Sequence, residues 1–232
     1  MRGEALNAFI RDNLPVAPVP GIAEIRLHKA VPESGLNRLA AADRTGFGSP
    51  YWAYHWAGGL ALARHVLDHP ETVVGKAVLD LGAGGGLVAI AAAKAGAAHV
   101  TAAEIDPYAA VALRLNAALN DVPVAIVEDD VIGEKASDAE VVLVGDLFYA
   151  ANLAQRVALF LDRCAAAGRT VLVGDPWRAH LPQARLSEVA RYSVTETANL
   201  PRRACGVFAW LPDSGRFAAD ESGQFDRHSP DA

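Results

Sequence analysis

Val78-Leu79-Asp80-Leu81-Gly82-Ala83-Gly84-Gly85-Gly86 is the stretch on which the fold turns. An apolar strand ends in an acid, and a run of glycines then bends the chain into a helix. Glycine tolerates positive φ and lets a ligand come close to the backbone, while the first turn of the helix favours negative groups. Several nucleotide-binding classes share such a turn, and a plain glycine-rich strand-to-helix connection competes with all of them. Two details separate the classes. A dinucleotide fingerprint needs Gly or Ala at the sixth position counted from Gly82, where this chain has Leu87. The carboxylate of Asp80 would also repel a pyrophosphate, whereas a ligand carrying an ammonium or sulfonium would use it. No GxxxxGK[ST] phosphate loop occurs in the chain.

Outward from this turn the pattern is regular. Strands are expected at 77–81, 98–103, 123–127, 140–145 and 170–174. Helices are expected at 86–95, 107–119, 151–166 and near 182–189. Apolar strands alternating with helices predict a parallel sheet covered on both faces. The rhythm then changes, because Arg191–Thr197 and Cys205–Leu211 are both β-rich with no helix between them. They are expected to form an antiparallel hairpin at one edge. Upstream, an aromatic cluster at Tyr51-Trp52-Ala53-Tyr54-His55-Trp56 leads into a helical pattern that runs to Leu67, with Trp52 and Trp56 on one face. Residues 4–14 suit a short amphipathic helix, stopped by the prolines of 15–20, and 22–28 alternates like a strand. The expected division is an N-terminal extension over 1–50, a main domain over 51–212 and a mobile tail over 213–232.

Composition narrows the function. The 232 residues carry 21 Lys plus Arg against 27 Asp plus Glu, a net charge of −6, so the chain lacks the basic surface that bulk nucleic-acid binding needs. Hydrophobic residues make up 52%, enough for a sizeable core. The longest apolar run, 81–93, falls short of the ~18 residues of a membrane span. The two cysteines, Cys164 and Cys205, form no CxxC pair and read as small core residues, which suits a reducing, cytoplasmic setting. His65 and His69 stand one helical turn apart without a third ligand, so they read as solvated helix residues and no metal site is expected.

The remaining chemistry lies at strand ends. Glu104 stands 24 residues after Asp80, near the ~20-residue offset at which an acid meets ribose hydroxyls, and a carboxylate can accept from both. Ile105 beside it joins the expected cofactor-binding set. Asp106 followed by Pro107 reads as the cap of the next helix. Glu128, Asp129 and Asp130 follow the third strand and form either a bare acidic loop or an adenine-contacting one, with Asp130 fitting best. Gly145-Asp146-Leu147-Phe148-Tyr149 follows the fourth strand, at the open end of the sheet where ligands bind. The Asn/Asp-Pro-Pro-aromatic sequence of enzymes that methylate nucleobase amines is missing there. Asp146 and Tyr149 instead place a carboxylate and a phenol where an amine acceptor would enter.

S-adenosyl-L-methionine carries both an ammonium and a sulfonium, and DLGAGGG resembles the first motif of the seven-strand methyltransferases. Together with YWAYHWAGG at 51–59, EIDP at 104–107, GDLFY at 145–149 and VGDP at 173–176, the chain resembles the electron-transfer-flavoprotein β-subunit lysine methyltransferase family and its bacterial relatives. The similarity runs from about residue 22 to residue 211. It departs at Ala57, where proline is expected, and at Ala150, where relatives often carry an acid. The resemblance implies a Rossmann-like α/β fold with seven strands, mostly parallel with a C-terminal antiparallel hairpin. It also implies S-adenosylmethionine as cofactor and a protein lysine as acceptor, the electron-transfer-flavoprotein β-subunit first of all, with no nucleic-acid or membrane partner.

The expected cofactor-binding residues are Trp56, Asp80, Gly82, Gly84, Glu104, Ile105 and Asp130, and the expected catalytic residues are Asp146 and Tyr149. Trp52 stays open between cofactor contact and core. Methylation of a small amine or heterocycle, or of a ribosomal protein, is the nearest alternative. A non-catalytic S-adenosylmethionine-binding module and an NAD-dependent oxidoreductase are more distant ones.

Overall fold

A computed structural model describes residues 3–43, 46–133, 135–197 and 201–211. The expected tail at 213–232 lies outside the described residues. Seven strands form the main sheet in the order β5-β4-β3-β6-β7-β9-β8. These are β3 (Ala77–Leu81), β4 (His99–Ala103), β5 (Ala125–Val127), β6 (Val141–Gly145), β7 (Thr170–Asp175), β8 (Leu186–Val194) and β9 (Arg203–Trp210). The first five run parallel, β9 pairs antiparallel with β7, and β8 pairs antiparallel with β9 at the edge. This is the expected Rossmann-like class, mostly parallel with an antiparallel C-terminal pair.

The two-residue period of the strands sorts their side chains between two cores. Val78, Val100, Ala102, Val141, Leu143 and Leu172 pack under α3 (Ala57–Asp68), α4 (Leu87–Lys94) and Leu113 of α5 (Pro107–Leu119). Their neighbours Leu79, Leu81, Val142, Val144, Val171 and Val173 pack under α6 (Ala151–Ala166). After β3 the chain steps outward through β4 and β5 and then returns to place β6 on the other side of β3. The reversal opens a crevice at the carboxyl ends of β3, β4 and β6, where open α/β sheets bind ligands.

The last expected helix is not formed. The helix near 182–189 is a single 3-10 turn, Gln183–Arg185, followed at once by β8. A register shift between Glu188 and Ala190 breaks the alternation of buried and exposed positions, so the segment carries no period-2 signature. The ladder to β9, with Leu186 opposite Trp210 and Val194 opposite Arg203, decides the conformation instead.

The proline stretch also holds a strand that its sequence hid. β1 (Val16–Val19) pairs antiparallel with β2 (Ile22–His28) as a separate two-stranded ribbon, with a register shift at Pro18. Asn116 of α5 and Asn120 at its C-terminal cap grip this ribbon. Asn120 accepts from Arg26 N–H at 3.0 Å and donates to its carbonyl at 2.6 Å, and Asn116 accepts from His28 N–H at 2.9 Å. Asn116 also donates to the Gly85 carbonyl at 2.8 Å, so one buried amide ties the ribbon to the glycine turn. The remaining N-terminal elements, α1 (Glu4–Asn13) and α2 (Asn37–Ala42), pack Leu6, Ile10 and Leu39 against Trp52 and Tyr108.

Candidate active site

Gly82 and Gly84 adopt φ of +69° and +53°, and a Cβ on Gly82 would stand 2.7 Å from Leu147. Only glycine makes this turn without strain. The turn carries the backbone from β3 into α4 and leaves a cleft of about 530 Å³ beside it. That volume suits a nucleoside-sized ligand, since small-molecule sites span about 300–1,000 Å³. Its walls bring together Trp56, Gly82, Gly84, Glu104, Ile105, Asp130, Asp146 and Tyr149. Asp80 lines a smaller adjoining cavity of about 90 Å³, which shares Trp52, Gly82, Gly84 and Asp146 with the larger one.

The acids around the turn differ in their partners. Asp80 is buried and accepts from the Ala89 N–H at 2.8 Å, holding the first turn of α4. Burial, and then Glu104 nearby, push its carboxyl up to about 7 against the pull of that hydrogen bond. Glu104 accepts from Gly84 N–H at 2.7 Å and Asp106 N–H at 2.9 Å, which clamps its carboxylate across the mouth of the turn. Burial raises its pKa above the usual carboxylate range, partly offset by those hydrogen bonds. A carboxylate has about four acceptor positions, so capacity remains beside these backbone bonds for a hydroxyl donor. Asp106 caps α5 by accepting from Tyr108 N–H at 2.8 Å, as expected.

Of the three acids after β5, Glu128 is engaged by Arg114 and does not line the cleft, whereas Asp129 and Asp130 do. Asp130 pairs with Arg156 at 2.5 Å, which holds its pKa below the usual value, and accepts from Ile132 N–H at 3.0 Å. The backbone of 129–132 therefore forms a short ledge along one wall.

The opposite wall is aromatic. Trp56 donates its indole N–H to the Tyr51 carbonyl at 2.9 Å, and its ring meets the Tyr51 ring edge-on at 5.6 Å. Tyr51 in turn faces Tyr149 at 6.2 Å. All three rings are at least one-third exposed. The expected helix through both tryptophans does not form. Tyr51–Ala53 is a 3-10 turn and Trp56 caps α3 in an extended conformation. Trp52 is buried against α5 and still lines both cavities, while Trp56 lines them as a more exposed ring.

Asp146 sits at the end of β6 with φ of +63°. One carboxylate oxygen accepts from Gly59 N–H at 2.6 Å, and the other is held by Arg178. Gly58 permits this, because a Cβ there would lie 2.1 Å from the Gly174 carbonyl oxygen. The first turn of α3 is thereby pressed onto the ends of β6 and β7, and its positive end faces the Asp146 carboxylate. Arg178 also bridges to Asp175. Neither Arg178 nor Asp175 was singled out from sequence. VGDP at 173–176 pointed at the neighbourhood, without a signal that the arginine two residues later turns back into the cleft.

The histidines differ from expectation. His65 is buried rather than solvated, with Nδ1 at 3.2 Å from the Tyr192 hydroxyl, while His69 is exposed beside Glu71. Among the described residues no group of three or more His, Cys, Asp or Glu is placed to hold a metal ion, and no helix is long and apolar enough to cross a membrane. Both cysteines are buried and free.

The electron-transfer-flavoprotein β-subunit lysine methyltransferase of Rattus norvegicus is 36% identical over 198 residues, covering 82% of this chain and 77% of the relative. The Homo sapiens protein of the same name is 38% identical over 199 residues, covering 83% and 76%. A profile of the ribosomal protein L11 methyltransferase family (PrmA) matches residues 62–167. Among solved structures, the 16S rRNA methyltransferase RsmC of T. thermophilus, in complex with AdoMet and guanosine, shares the fold with a TM-score of 0.53 at 21% identity, covering 85% of this chain and 50% of that one.

Proposed function

The chain belongs to the electron-transfer-flavoprotein β-subunit lysine methyltransferase family, and from that premise we propose that it transfers the methyl group of S-adenosylmethionine to a lysine of the electron-transfer-flavoprotein β-subunit. That it is an S-adenosylmethionine-dependent methyltransferase follows from the family itself. The residues of the cleft fit the cofactor. The glycine turn leaves room where Gly84 has nothing nearer to a Cβ than Trp52 at 3.8 Å, and the buried Glu104 carboxylate has free acceptor positions for vicinal hydroxyls. Asp129 or Asp130, on the ledge, is within the same cleft for an adenine amino group, and Asp80, in the adjoining cavity, would give up its proton to face an ammonium.

The bound cofactor supplies a sulfonium-activated methyl carbon, open to in-line displacement by an amine. The chain's own residues align the acceptor. Asp146, held from both sides, keeps free lone pairs with which to accept N–H bonds from the incoming nitrogen and direct its remaining lone pair at the methyl carbon. The amine must arrive neutral, against an ordinary lysine pKa of ~10.4. Tyr51, Trp56 and Tyr149 form a low-polarity wall along which the lysine stem lies while water is excluded. The nitrogen that takes the methyl group would carry the positive charge released from sulfur, and Asp146 would face that charge until a proton passes to solvent.

The observation that carries this reading is the clamped Asp146 beside Tyr149 at the open end of the glycine cleft. The PrmA match covers residues 62–167, which include the glycine turn, Glu104, Asp146 and Tyr149 but neither Trp56 nor Asp175 and Arg178. A cytoplasmic setting, with neither nucleic acid nor membrane as partner, completes the reading. The test is label transfer from tritiated S-adenosylmethionine into an extract of a source strain lacking this enzyme. Label on a lysine of a protein is expected, and label confined to small molecules would overturn the protein-lysine assignment.

A further inference from the structure

Arg178 is joined to two carboxylates from one guanidinium nitrogen. Nη1 donates to Asp146 and, at 3.1 Å, to Asp175. Asp175 is completely buried at the end of β7, and its other oxygen accepts from the Arg178 backbone N–H at 2.7 Å. The residues from 175 to 178 thus close on themselves, and the closure requires Trp177 in the left-handed region at φ +57°. Trp177 is held there by Phe208, edge-on at 5.6 Å, and by the Arg191 guanidinium over its ring at 4.6 Å.

Asp146 and Trp177 are two of the three described non-glycine residues with positive φ. They sit on adjacent strand ends and flank the same ion pair. Sparsely populated backbone conformations persist where surrounding contacts over-determine them, and they concentrate at functional sites. A surface ion pair would need neither. Arg178 also lines the 530 Å³ cleft, so the guanidinium stands between a buried anchor and the acceptor side of the site.

We propose that Arg178, anchored by Asp175, is the positioning residue that fixes the Asp146 carboxylate for the acceptor amine. The proposal rests on the reading of Asp146 given above. Arginine suits the task because a planar, permanently charged guanidinium spans two carboxylates with defined geometry, which a lysine ammonium does not. Without it, two neighbouring acids would face one another, Asp175 with a pKa already raised by burial. The Asp146 side chain would then keep only the Gly59 N–H as its fixed partner.

Initial rates of label incorporation into the enzyme-deficient extract, with calorimetry of S-adenosylhomocysteine binding, test this in Arg178→Gln, Arg178→Lys, Asp175→Asn, Asp146→Ala and the Arg178→Gln/Asp146→Ala pair. Arg178→Gln is expected to slow transfer by ~50-fold or more while the product affinity stays within about threefold, because orientation and not cofactor binding is lost. Arg178→Lys is expected to recover part of that rate, and Asp175→Asn to lie between Lys and Gln. In the double variant the losses are expected not to multiply, the rate matching Asp146→Ala within about threefold, since residues that act as a unit are non-additive. A general loss of structure would instead lower product affinity and multiply with Asp146→Ala. Wild-type rates in Arg178→Gln beside a slow Asp146→Ala, or multiplying losses, would overturn the positioning role alone. Where Arg178→Gln fails to fold, a full-rate Arg178→Lys and a full-rate Asp175→Asn overturn it equally. Full rate in Asp146→Ala would remove the underlying reading and the proposal with it.

Discussion

Asp80 and Glu104 come from neighbouring strand ends and meet the same glycine turn, yet their burdens differ. Asp80 serves α4 through one hydrogen bond and is otherwise surrounded by core, which raises its pKa to about 7. An unfolded aspartate titrates near ~3.9. Between about pH 4 and pH 7 the folded chain therefore holds a proton that the unfolded chain has released, and stability falls as pH rises through this window. Asp80→Asn, which keeps an acceptor for Ala89 N–H, is expected to flatten that slope in urea titrations at pH 4.5–8. Identical slopes in the two proteins would show that Asp80 is ionised throughout. Glu104 has two backbone donors and spare acceptor capacity, so its substitution reads on the ligand. Glu104→Ala is expected to weaken S-adenosylmethionine and S-adenosylhomocysteine by about 1–3 kcal/mol in calorimetry, through loss of charged hydrogen bonds. Unchanged affinity would place the ribose elsewhere. Both acids were legible in sequence because each sits at the carboxyl end of an apolar strand, Asp80 one residue before the end of β3 and Glu104 one residue after β4. Arg178 and Asp175 were not, since their meeting with Asp146 depends on a left-handed Trp177 that no local pattern announces.

At the scale of elements, the parallel core was legible because β3, β4, β6 and β7 are short apolar runs separated by helices of ordinary length. Of β8 the end was legible as the β-rich run from 191, but its start was not, since the bulge at 188–190 breaks the alternation there and the ladder to β9 carries the strand back to Leu186. The contact of α3 with β7 was equally hidden. It depends on Gly58 and Gly174 approaching each other, where a Cβ on either would lie within 2.2 Å of the other's carbonyl oxygen. Backbone on both sides leaves no flexible atom to yield. Gly58→Ala is accordingly expected to lose about 1–3 kcal/mol of stability, the range for overpacking, seen as a lower urea midpoint with unchanged slope. It should also move Gly59 N–H away from Asp146 and slow methyl transfer beyond what the stability loss explains. An unchanged midpoint would mean that α3 can slide along β7 without cost.

On the proposed reading, the cofactor residues gather at the ends of β3, β4 and β5 and the acceptor residues at the ends of β6 and β7, so the two substrates would meet across the reversal in strand order. The centre of the cofactor side was readable from one local stretch, 78–86, with Glu104 and Asp130 at later strand ends, and GDLFY at 145–149 marked Asp146 and Tyr149. The lysine acceptor itself came only from the resemblance carried by five short stretches between 51 and 176. Charge supplies the remaining handle on the acceptor. The chain carries −6 overall, and Asp129 and the Arg156-paired Asp130 line one wall of the open cleft. A lysine on a protein surface approaches such a cleft with electrostatic help that weakens as the screening length shortens to ~8 Å near physiological ionic strength. Methylation of the electron-transfer-flavoprotein β-subunit is therefore expected to fall with added salt through kcat/KM at nearly constant kcat, because screening acts on encounter and not on the aligned complex. A small heterocyclic amine gains far less from that field, and its turnover should be nearly independent of salt. Mass spectrometry of the β-subunit should show 14-dalton increments on lysine that disappear in a Lys→Arg acceptor. An unmodified β-subunit, together with salt-independent methylation of a small amine, would transfer the assignment to the small-molecule class.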